Sequence, residues 1–218
     1  MAEFGDVTSW PREHRGLLLT TLNQVLAVYD PVTASHAERV AEISFLVAAE
    51  LDLADPEREL AQISGIVHDI GKLKVSRGLL NKSSALTADE RSKIEAHCEI
   101  GAEILLAISS DFGLVAEGVR SHHERLNGAG YPSGLSGEEI PLMARLLAVV
   151  DVYDAMTNQR AYRKRIYSSG AASEYLVGQK GSEFDPECVD ATMVVLGGWL
   201  SNRRVFSLSP SSNRQQFG

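Results

Sequence analysis

The chain has 218 residues, of which 44% are hydrophobic and 23% are charged, a composition typical of a globular domain that can bury a substantial core. Lysine and arginine number 21 and aspartate and glutamate number 29, so the formal net charge is −8. An acidic chain without a basic run is a poor match to DNA, RNA or an anionic membrane surface. Any phosphate ligand would therefore have to be small and held by local cations.

Cysteine content and apolar patterning indicate the compartment. Cys98 and Cys188 are the two cysteines of the sequence, too few for a disulfide framework, which points to a reducing environment. No apolar run approaches the length needed to span a bilayer, and the N-terminal segment is acidic and polar where a signal peptide would be basic and then apolar. We therefore expect a cytoplasmic protein without a membrane span.

Apolar residues recur at helical spacing along almost the whole chain. Pro31 disfavours helix in the residue before it and so ends the first helix, and Thr87 with Glu90 has the spacing of a capping box that opens another. A glycine-rich loop is expected over 127–137. The predicted helices cover about 18–29, 35–51, 56–70, 87–105, 113–123, 141–157, 169–179 and 186–196.

The fold class follows from these periodicities. No stretch shows sustained two-residue alternation between turns, so the sequence predicts an all-α, bundle-like domain. The helix over 141–157 is apolar almost all round and is expected at the buried centre of the fold. We expect an N-terminal helical segment over 1–30, the main domain over 31–200, and a disordered tail rich in Ser, Asn and Gln over 201–218.

Histidines and aspartates carry the functional signal. His68-Asp69 ends one apolar helix, His122-His123 ends another, and Asp151 interrupts the apolar run LLAVVDVYDAM. A carboxylate inside an apolar helix has a large desolvation cost unless a cation or hydrogen bonds compensate it. Imidazole and carboxylate suit divalent iron, manganese, zinc or nickel, and a pair of such ions can hold hydroxide and a phosphoryl oxygen for in-line attack. A lone histidine on a helix, such as His14, is more often structural.

Six segments, read together, resemble the HD-GYP branch of the HD superfamily of metal-dependent phosphohydrolases. They follow the order and approximate spacing of that family over about 30–189. The resemblance implies an all-α HD-domain bundle with an HD-GYP C-terminal extension, and a bacterial signalling enzyme that hydrolyses cyclic di-GMP to linear pGpG, and onward to GMP. The segments are HAERV (36–40), HDIGK (68–72), AHCEIGAEIL (96–105), HHERLNGAGYPSGL (122–135), IPLMARLLAVVDVYDAMTNQRAYR (140–163) and EFDPECV (183–189).

The same resemblance implies roles for individual residues. One metal ion would be held by His36, His68, Asp69 and Asp151, and Asp69 would bridge to a second ion held by His97, His122 and His123. Asp69 and Lys72 would be catalytic, with Lys72 directed at the scissile phosphate. Arg160 and Tyr131 would contact substrate. Iron or manganese is favoured, and nickel or zinc is compatible with these ligands.

Several positions depart from the family pattern. Val32 stands where some members carry a glutamate that helps to hold a third metal, so we expect two ions rather than three. Cys98 stands where proline is common, either as an oxidation-sensitive thiol or as a simply buried one. The substitutions that border the expected substrate cleft leave substrate preference open; they are Ser76, Ser83, Ser84, Asn127 and Ala161.

Two other interpretations stay open at this stage. The chain could act on another cyclic dinucleotide such as cyclic GMP-AMP, or it could be a catalytically silent module that binds a ligand or a partner. The loop Gly130-Tyr131-Pro132 could serve contacts with signalling proteins, and a homo-oligomer is compatible with the first helix.

Overall fold

The computed structural model describes residues 6–158 and 166–207, which form a helical domain without a sheet. Within these ranges the strand-like pairing consists of two isolated bridges, Asn127 with Ser136 and Lys180 with Phe184. The predicted all-α class is confirmed. The described helices are α1 (Arg12–Tyr29), α2 (Pro31–Glu50), α3 (Asp55–Val67), α4 (Arg77–Leu80), α5 (Ala88–Glu95), α6 (His97–Ile108), α7 (Gly113–Ser121), α8 (Leu142–Thr157), α9 (Ser169–Gly178) and α10 (Pro186–Ser207).

The helix α8 lies in the centre of the core, as its apolar sequence predicted. Its residues Leu146, Leu147, Val149 and Val150 are fully buried, on successive faces of the helix. α8 packs against α2, α3, α7, α9 and α10, so it contacts apolar side chains on nearly every side. A polar residue on this helix is therefore held in the interior of the protein.

In the first half of the chain, the observed bounds of α2 and α3 differ from the predicted ones. α2 begins at Pro31, because the Asp30 carboxylate accepts hydrogen bonds from the backbone N–H groups of Val32 and Thr33. α3 ends at Val67 and is followed by a short 3₁₀ helix, Ile70–Lys74.

Further along the chain, the predicted helix over 87–105 is two helices, α5 and α6, which meet at Ala96. α10 continues to Ser207, where the sequence predicted an end near Leu196. The rest of the predicted tail, 208–218, lies outside the described residues, and the division of the chain at 30 and 200 stays a prediction. None of the described helices is both long and apolar enough to cross a bilayer.

Gly65 allows α3 to lie directly against α2. A Cβ at this position would stand 2.6 Å from the Cα of Ala41 and 2.8 Å from its backbone nitrogen, which are rigid backbone atoms. The close approach brings the end of α3, where His68-Asp69 lies, next to the face of α2 that carries His36.

We predict that Gly65→Ala lowers the free energy of unfolding by about 2 kcal/mol, because overpacking against backbone forces the two helices apart. Gly16→Ala is the matched control: a Cβ at Gly16 in α1 meets nothing within 4 Å, and the replacement should stabilise the protein by roughly 0.5 kcal/mol. Urea denaturation of both variants measures the effect. Equal stability of the two variants would show that α2 and α3 are not constrained here.

Candidate metal centre

The seven residues predicted to bind metal lie together in the interior. His36 comes from α2 and Asp151 from α8, while the other five stand at or beside helix ends. His36, His68, Asp69, His97 and His122 are almost completely inaccessible to solvent, and His123 is half-buried. Two groups of side chains bring their ligand atoms within 4.8 Å of one another: His36 with His68 and Asp69, and His97 with His122, His123 and the neighbouring Cys98.

Asp69 stands between the two groups, with one carboxylate oxygen toward each. Its Oδ2 lies 3.4 Å from Nε2 of His68 and 4.0 Å from Nε2 of His36. Its Oδ1 lies 3.3 Å from Nε2 of His97. Asp151 completes the first group, because its Oδ1 is 2.9 Å from Nε2 of His36 and 3.9 Å from Nε2 of His68.

Three of the imidazoles are oriented in the same way, by a hydrogen bond to a backbone carbonyl. Nδ1 of His68 is 2.8 Å from the carbonyl of Gly65, Nδ1 of His97 is 2.7 Å from that of Ile94, and Nδ1 of His122 is 2.6 Å from that of Val119. Each carbonyl lies three residues earlier, in the last turn of a helix, where helical i+4 donors run out. Because a carbonyl only accepts, Nδ1 carries the proton in each ring, and the lone pair of a neutral ring lies on Nε2.

These lone pairs converge on the same space. Nε2 of His97 and Nε2 of His122 are 3.4 Å apart, and neither is a donor when both rings are neutral. Oδ1 of Asp69 is buried without a hydrogen-bond partner, although it faces Nε2 of His97. A buried acceptor that faces further acceptors is costly unless a cation lies between them. The described residues therefore fit a divalent metal ion.

Burial and charge hold four of the groups in the protonation states that bind metal, whereas the pKa of His68 is raised, because the charges of Asp69 and Asp151 outweigh its burial. Desolvation lowers the pKa of His97 to about 4 and that of His122 to about 3, so both rings are neutral at neutral pH. Desolvation likewise holds the pKa of His123 well below its usual value. Burial raises the pKa of Asp69, but Lys72 and His68 beside it more than offset this and hold that pKa well below the ordinary range.

Asp154 and Arg39 belong to the site, although the sequence reasoning did not single them out. Asp154 is buried and places its Oδ2 2.6 Å from Nδ1 of His36. Arg39 donates to both oxygens of Asp154 at 2.6 and 2.8 Å, and Asn158 donates to Oδ1. A carboxylate behind a ligand histidine orients the ring and raises its basicity. Helical spacing was the sequence signal that could have indicated these two residues. Asp154 follows Asp151 by three residues and Arg39 follows His36 by three, so each lies on the same helix face as a predicted ligand.

Lys72, which the family resemblance directs at the scissile phosphate, lies next to the cluster. Its Nζ donates to Oδ2 of Asp69 at 2.6 Å, and the side chain is 13% exposed. Val32 lines the same cleft as Lys72 and offers no ligand atom. Arg160 and Ala161 lie outside the described residues, so their predicted placement stays a prediction.

The loop that contains Gly130-Tyr131-Pro132 covers the second group of histidines. The ring of Tyr131 stacks on the ring of His123, with centroids 4.7 Å apart and an angle of 32° between the planes. Glu124, a third residue that sequence reasoning missed, is buried and accepts hydrogen bonds from three consecutive backbone N–H groups, those of 133–135. Its carboxylate therefore fixes the loop against the end of α7.

Cys98 is buried beside the second group of histidines. Its Sγ lies 3.5 Å from Nε2 of His97 and 4.0 Å from Nδ1 of His122. Burial raises the pKa of the Cys98 thiol, which disfavours the reactive thiolate. The surroundings favour the interpretation of a simply buried thiol over that of an oxidation-sensitive one.

Comparison with known proteins places this geometry in a family. The model of the HD domain matches residues 20–188 of the chain. The chain belongs to the HD domain family. It is 37% identical over 194 residues to the "Cyclic di-GMP phosphodiesterase response regulator RpfG" of Xanthomonas campestris, which covers 88% of this chain and 50% of that protein. It is 34% identical over 174 residues to the "3'3'-cGAMP-specific phosphodiesterase 3" of Vibrio cholerae, which covers 80% of this chain and 37% of that protein.

Solved structures agree on the fold. The HDG"Y"P protein Bd1817 of Bdellovibrio bacteriovorus superposes with a TM-score of 0.63 and 17% identity, covering 84% of this chain and 62% of that chain. The HD domain of L. monocytogenes PgpH, solved with cyclic-di-AMP, gives a TM-score of 0.60 and 17% identity, covering 90% of this chain and 100% of that chain. The predicted membership of the HD-GYP family is confirmed. The chain spans half or less of the length of the curated relatives described above.

We predict that Asp154→Ala weakens metal binding about 10- to 100-fold, because His36 loses the carboxylate that orients it. Metal content after dialysis against a graded chelator, read by mass spectrometry, measures the change. Asp190→Ala is the control, since Asp190 pairs with Lys180 on the surface. Retention of metal by Asp154→Ala at the level of the control would show that His36 needs no support from α8.

Proposed function

We propose that the chain is a metal-dependent phosphodiesterase that hydrolyses cyclic di-GMP to linear pGpG, and in a second cleavage to GMP. The single observation that carries the proposal is the position of Asp69. Its two oxygens face two separate groups of imidazoles, and the ammonium of Lys72 stands at hydrogen-bond distance beside it. This arrangement suits a bridged pair of ions next to a phosphate-binding cation, the requirement of phosphodiester hydrolysis.

Two sets of residues would each hold one ion. His36, His68, Asp69 and Asp151 would hold one divalent ion, and Asp69 with His97, His122 and His123 would hold the other. Iron or manganese suits this mixture best, with nickel or zinc as further candidates. Such ions would lower the pKa of a bound water molecule and polarise a phosphoryl oxygen of the substrate. Val32 offers no ligand for a third ion.

Lys72 and the loop at Tyr131 would handle the substrate. The Lys72 ammonium, positioned by Asp69, would neutralise charge that develops on the phosphoryl oxygens. Burial raises the pKa of Tyr131, so its phenol remains a neutral donor that can reach a substrate oxygen beside His123. Arg160 would add a second cation to the phosphate or to a guanine.

Cyclic GMP-AMP is the second candidate substrate. Relatives of the chain are named for cyclic di-GMP in Xanthomonas campestris and for 3'3'-cGAMP in Vibrio cholerae, at similar identity. Both names support a cyclic dinucleotide as the substrate class. A catalytically silent module is disfavoured, because each of the seven ligand positions holds a residue that can bind metal and all seven lie together.

The remaining proposals concern context. We infer a cytoplasmic enzyme, in keeping with the few cysteines and the acidic charge. The loop at Gly130-Tyr131-Pro132 and the exposed apolar residues of α1, such as Leu17 and Val28, are the surfaces where a signalling partner or a second copy of the chain could bind.

We predict that the manganese- or iron-loaded protein cleaves cyclic di-GMP under anaerobic conditions, and that His68→Ala with Asp69→Ala together abolish both bound metal and turnover. Chromatography of the products separates pGpG from GMP, and a panel with cyclic GMP-AMP ranks the substrates. Asp190→Ala serves as the surface control. Normal cleavage by the doubly substituted protein would place the active site elsewhere.

Lys72→Ala tests the cation separately from the metal ligands. We expect kcat to fall about 10²-fold or more while the metal content stays unchanged, because one preorganised charge is lost from the transition state. Lys93→Ala is the matched control, since Lys93 pairs with Asp89 on the exposed face of α5. An equal effect of the two substitutions on kcat would exclude a role for Lys72 in phosphate binding.

A further inference from the structure

The sulfur of Cys98 lies among the ligand atoms of the second group of histidines. The Cys98 side chain is buried, and its Sγ is within 4.8 Å of a ring nitrogen of each of His97, His122 and His123. Its distance to Nε2 of His97, the atom that faces Asp69, is 3.5 Å. The thiol therefore points at the space where the second ion is proposed.

Three distances from Nε2 of His97 match the separations between ligand atoms of a single ion. Nε2 of His122 is at 3.4 Å, Oδ1 of Asp69 at 3.3 Å and Sγ of Cys98 at 3.5 Å. Tetrahedral zinc, with bonds of about 2.0 Å to nitrogen and oxygen and about 2.3 Å to sulfur, separates its ligand atoms by about 3.3 to 3.6 Å. The sulfur is therefore within reach of an ion that His97 binds.

The carboxylate of Asp69 independently points to a cation at the same place. Its Oδ1 is buried without a hydrogen-bond partner and faces Nε2 of His97. A buried carboxylate oxygen in this state is costly unless a cation compensates it. The sulfur of Cys98 and this oxygen thus approach one nitrogen, whose lone pair is directed at the second ion.

A thiol in this position affects metal binding in either of its forms. As S–H, Cys98 can donate weakly to Nε2 of His97, because Nδ1 of that ring donates to the carbonyl of Ile94 and leaves Nε2 as the acceptor. That contact would occupy the lone pair that the second ion needs. As a thiolate bound to the ion, the sulfur no longer competes, it adds a ligand, and its proton is released to solvent.

We propose that Cys98 is a thiolate ligand of the second ion, beside Asp69, His97, His122 and His123, and that it raises the preference of this position for zinc over manganese. Thiolate sulfur favours softer ions such as zinc, whereas manganese prefers oxygen ligands. Proline, which is common at this position in the HD-GYP family, has no ligand atom, so the preference belongs to this chain and not to the family pattern. The proposal rests on the proposed function for the second ion and adds the metal preference of that site.

Cobalt(II) tests for the sulfur directly, because a bound thiolate gives an intense charge-transfer absorption in the near ultraviolet that nitrogen and oxygen ligands do not give. The full chain, freed of metal, is titrated with cobalt under anaerobic conditions. We expect the band in the wild type, and bound cobalt without the band in Cys98→Ser and Cys98→Ala. Cys188→Ser is the matched control and should keep the band, because Cys188 is equally buried but belongs to neither group of ligand atoms.

The metal preference is measured by competition of zinc and of manganese with a chromophoric chelator. Cys98→Ser should weaken zinc binding at least as far as the loss of an outer-shell partner does, about 10- to 100-fold, with manganese affinity unchanged. The control Cys188→Ser should leave both affinities at their wild-type values.

The assignment does not depend on the folding of the Cys98 variants. Cys98 and Cys188 are the two cysteines of the sequence, so a band in the wild type that survives in Cys188→Ser identifies Cys98 as the ligand. A wild type without the band, a band that persists in Cys98→Ser, or loss of the band in Cys188→Ser overturns the proposal.

These measurements are independent of phosphodiesterase activity. If the band and the zinc preference depend on Cys98 but no cyclic dinucleotide is hydrolysed, the thiolate ligand stands and the phosphodiesterase assignment fails. If cyclic di-GMP is hydrolysed and the cobalt-loaded wild type shows no band, the enzyme assignment stands and Cys98 is a buried thiol without a bond to metal.

Discussion

The candidate metal centre depends on buried hydrogen-bond acceptors that face one another. Backbone carbonyls take the Nδ1 protons of His68, His97 and His122, so the lone pairs on Nε2 turn inward toward Asp69. In an apolar interior this arrangement is unfavourable by itself, because Lys72 donates to Oδ2 of Asp69 while Oδ1 and the Nε2 lone pairs face one another without a donor between them. A divalent cation reverses the sign of these interactions. A divalent ion bound there would therefore stabilise the folded chain, because its ligands come together only on folding.

Helix ends position three of the histidines of the site. His68 and His122 each follow the last residue of a helix, and His97 opens α6 just after α5 ends. At such a point the chain has a free carbonyl for Nδ1 and a change of direction that aims Nε2 away from the helix axis. Gly65 and the fully buried α8 then bring these ends and His36 within a few ångströms. The contacts that pack the core therefore also set the geometry of the candidate metal centre.

Apolar periodicity, a local signal, predicted the helices, and the resemblance to the HD-GYP family implied the ligand candidates, whose side chains lie together in the structure. Sequence reasoning missed what depends on packing. The break at Ala96 divides one continuous apolar pattern into two helices, because His97 must turn toward Asp69 while α5 follows the surface. The sequence marks Asp154 only as a second carboxylate on α8, and its role depends on a contact with His36 that tertiary packing creates. Glu124 likewise acts on backbone N–H groups ten residues away, which no spacing rule indicates.

The acidic character of the chain explains why the cation beside Asp69 matters. With a net charge of −8, the overall field would repel the proposed substrate, a cyclic dinucleotide with two phosphates, so any attraction must arise within a short distance. Lys72 is ion-paired with Asp69, and that pair alone has little net charge to offer an anion. Divalent ions held by Asp69 would compensate its charge, and the Lys72 ammonium would then be available to a phosphoryl oxygen. In the proposed enzyme, metal occupancy and phosphate affinity would thus be linked through a single carboxylate, that of Asp69.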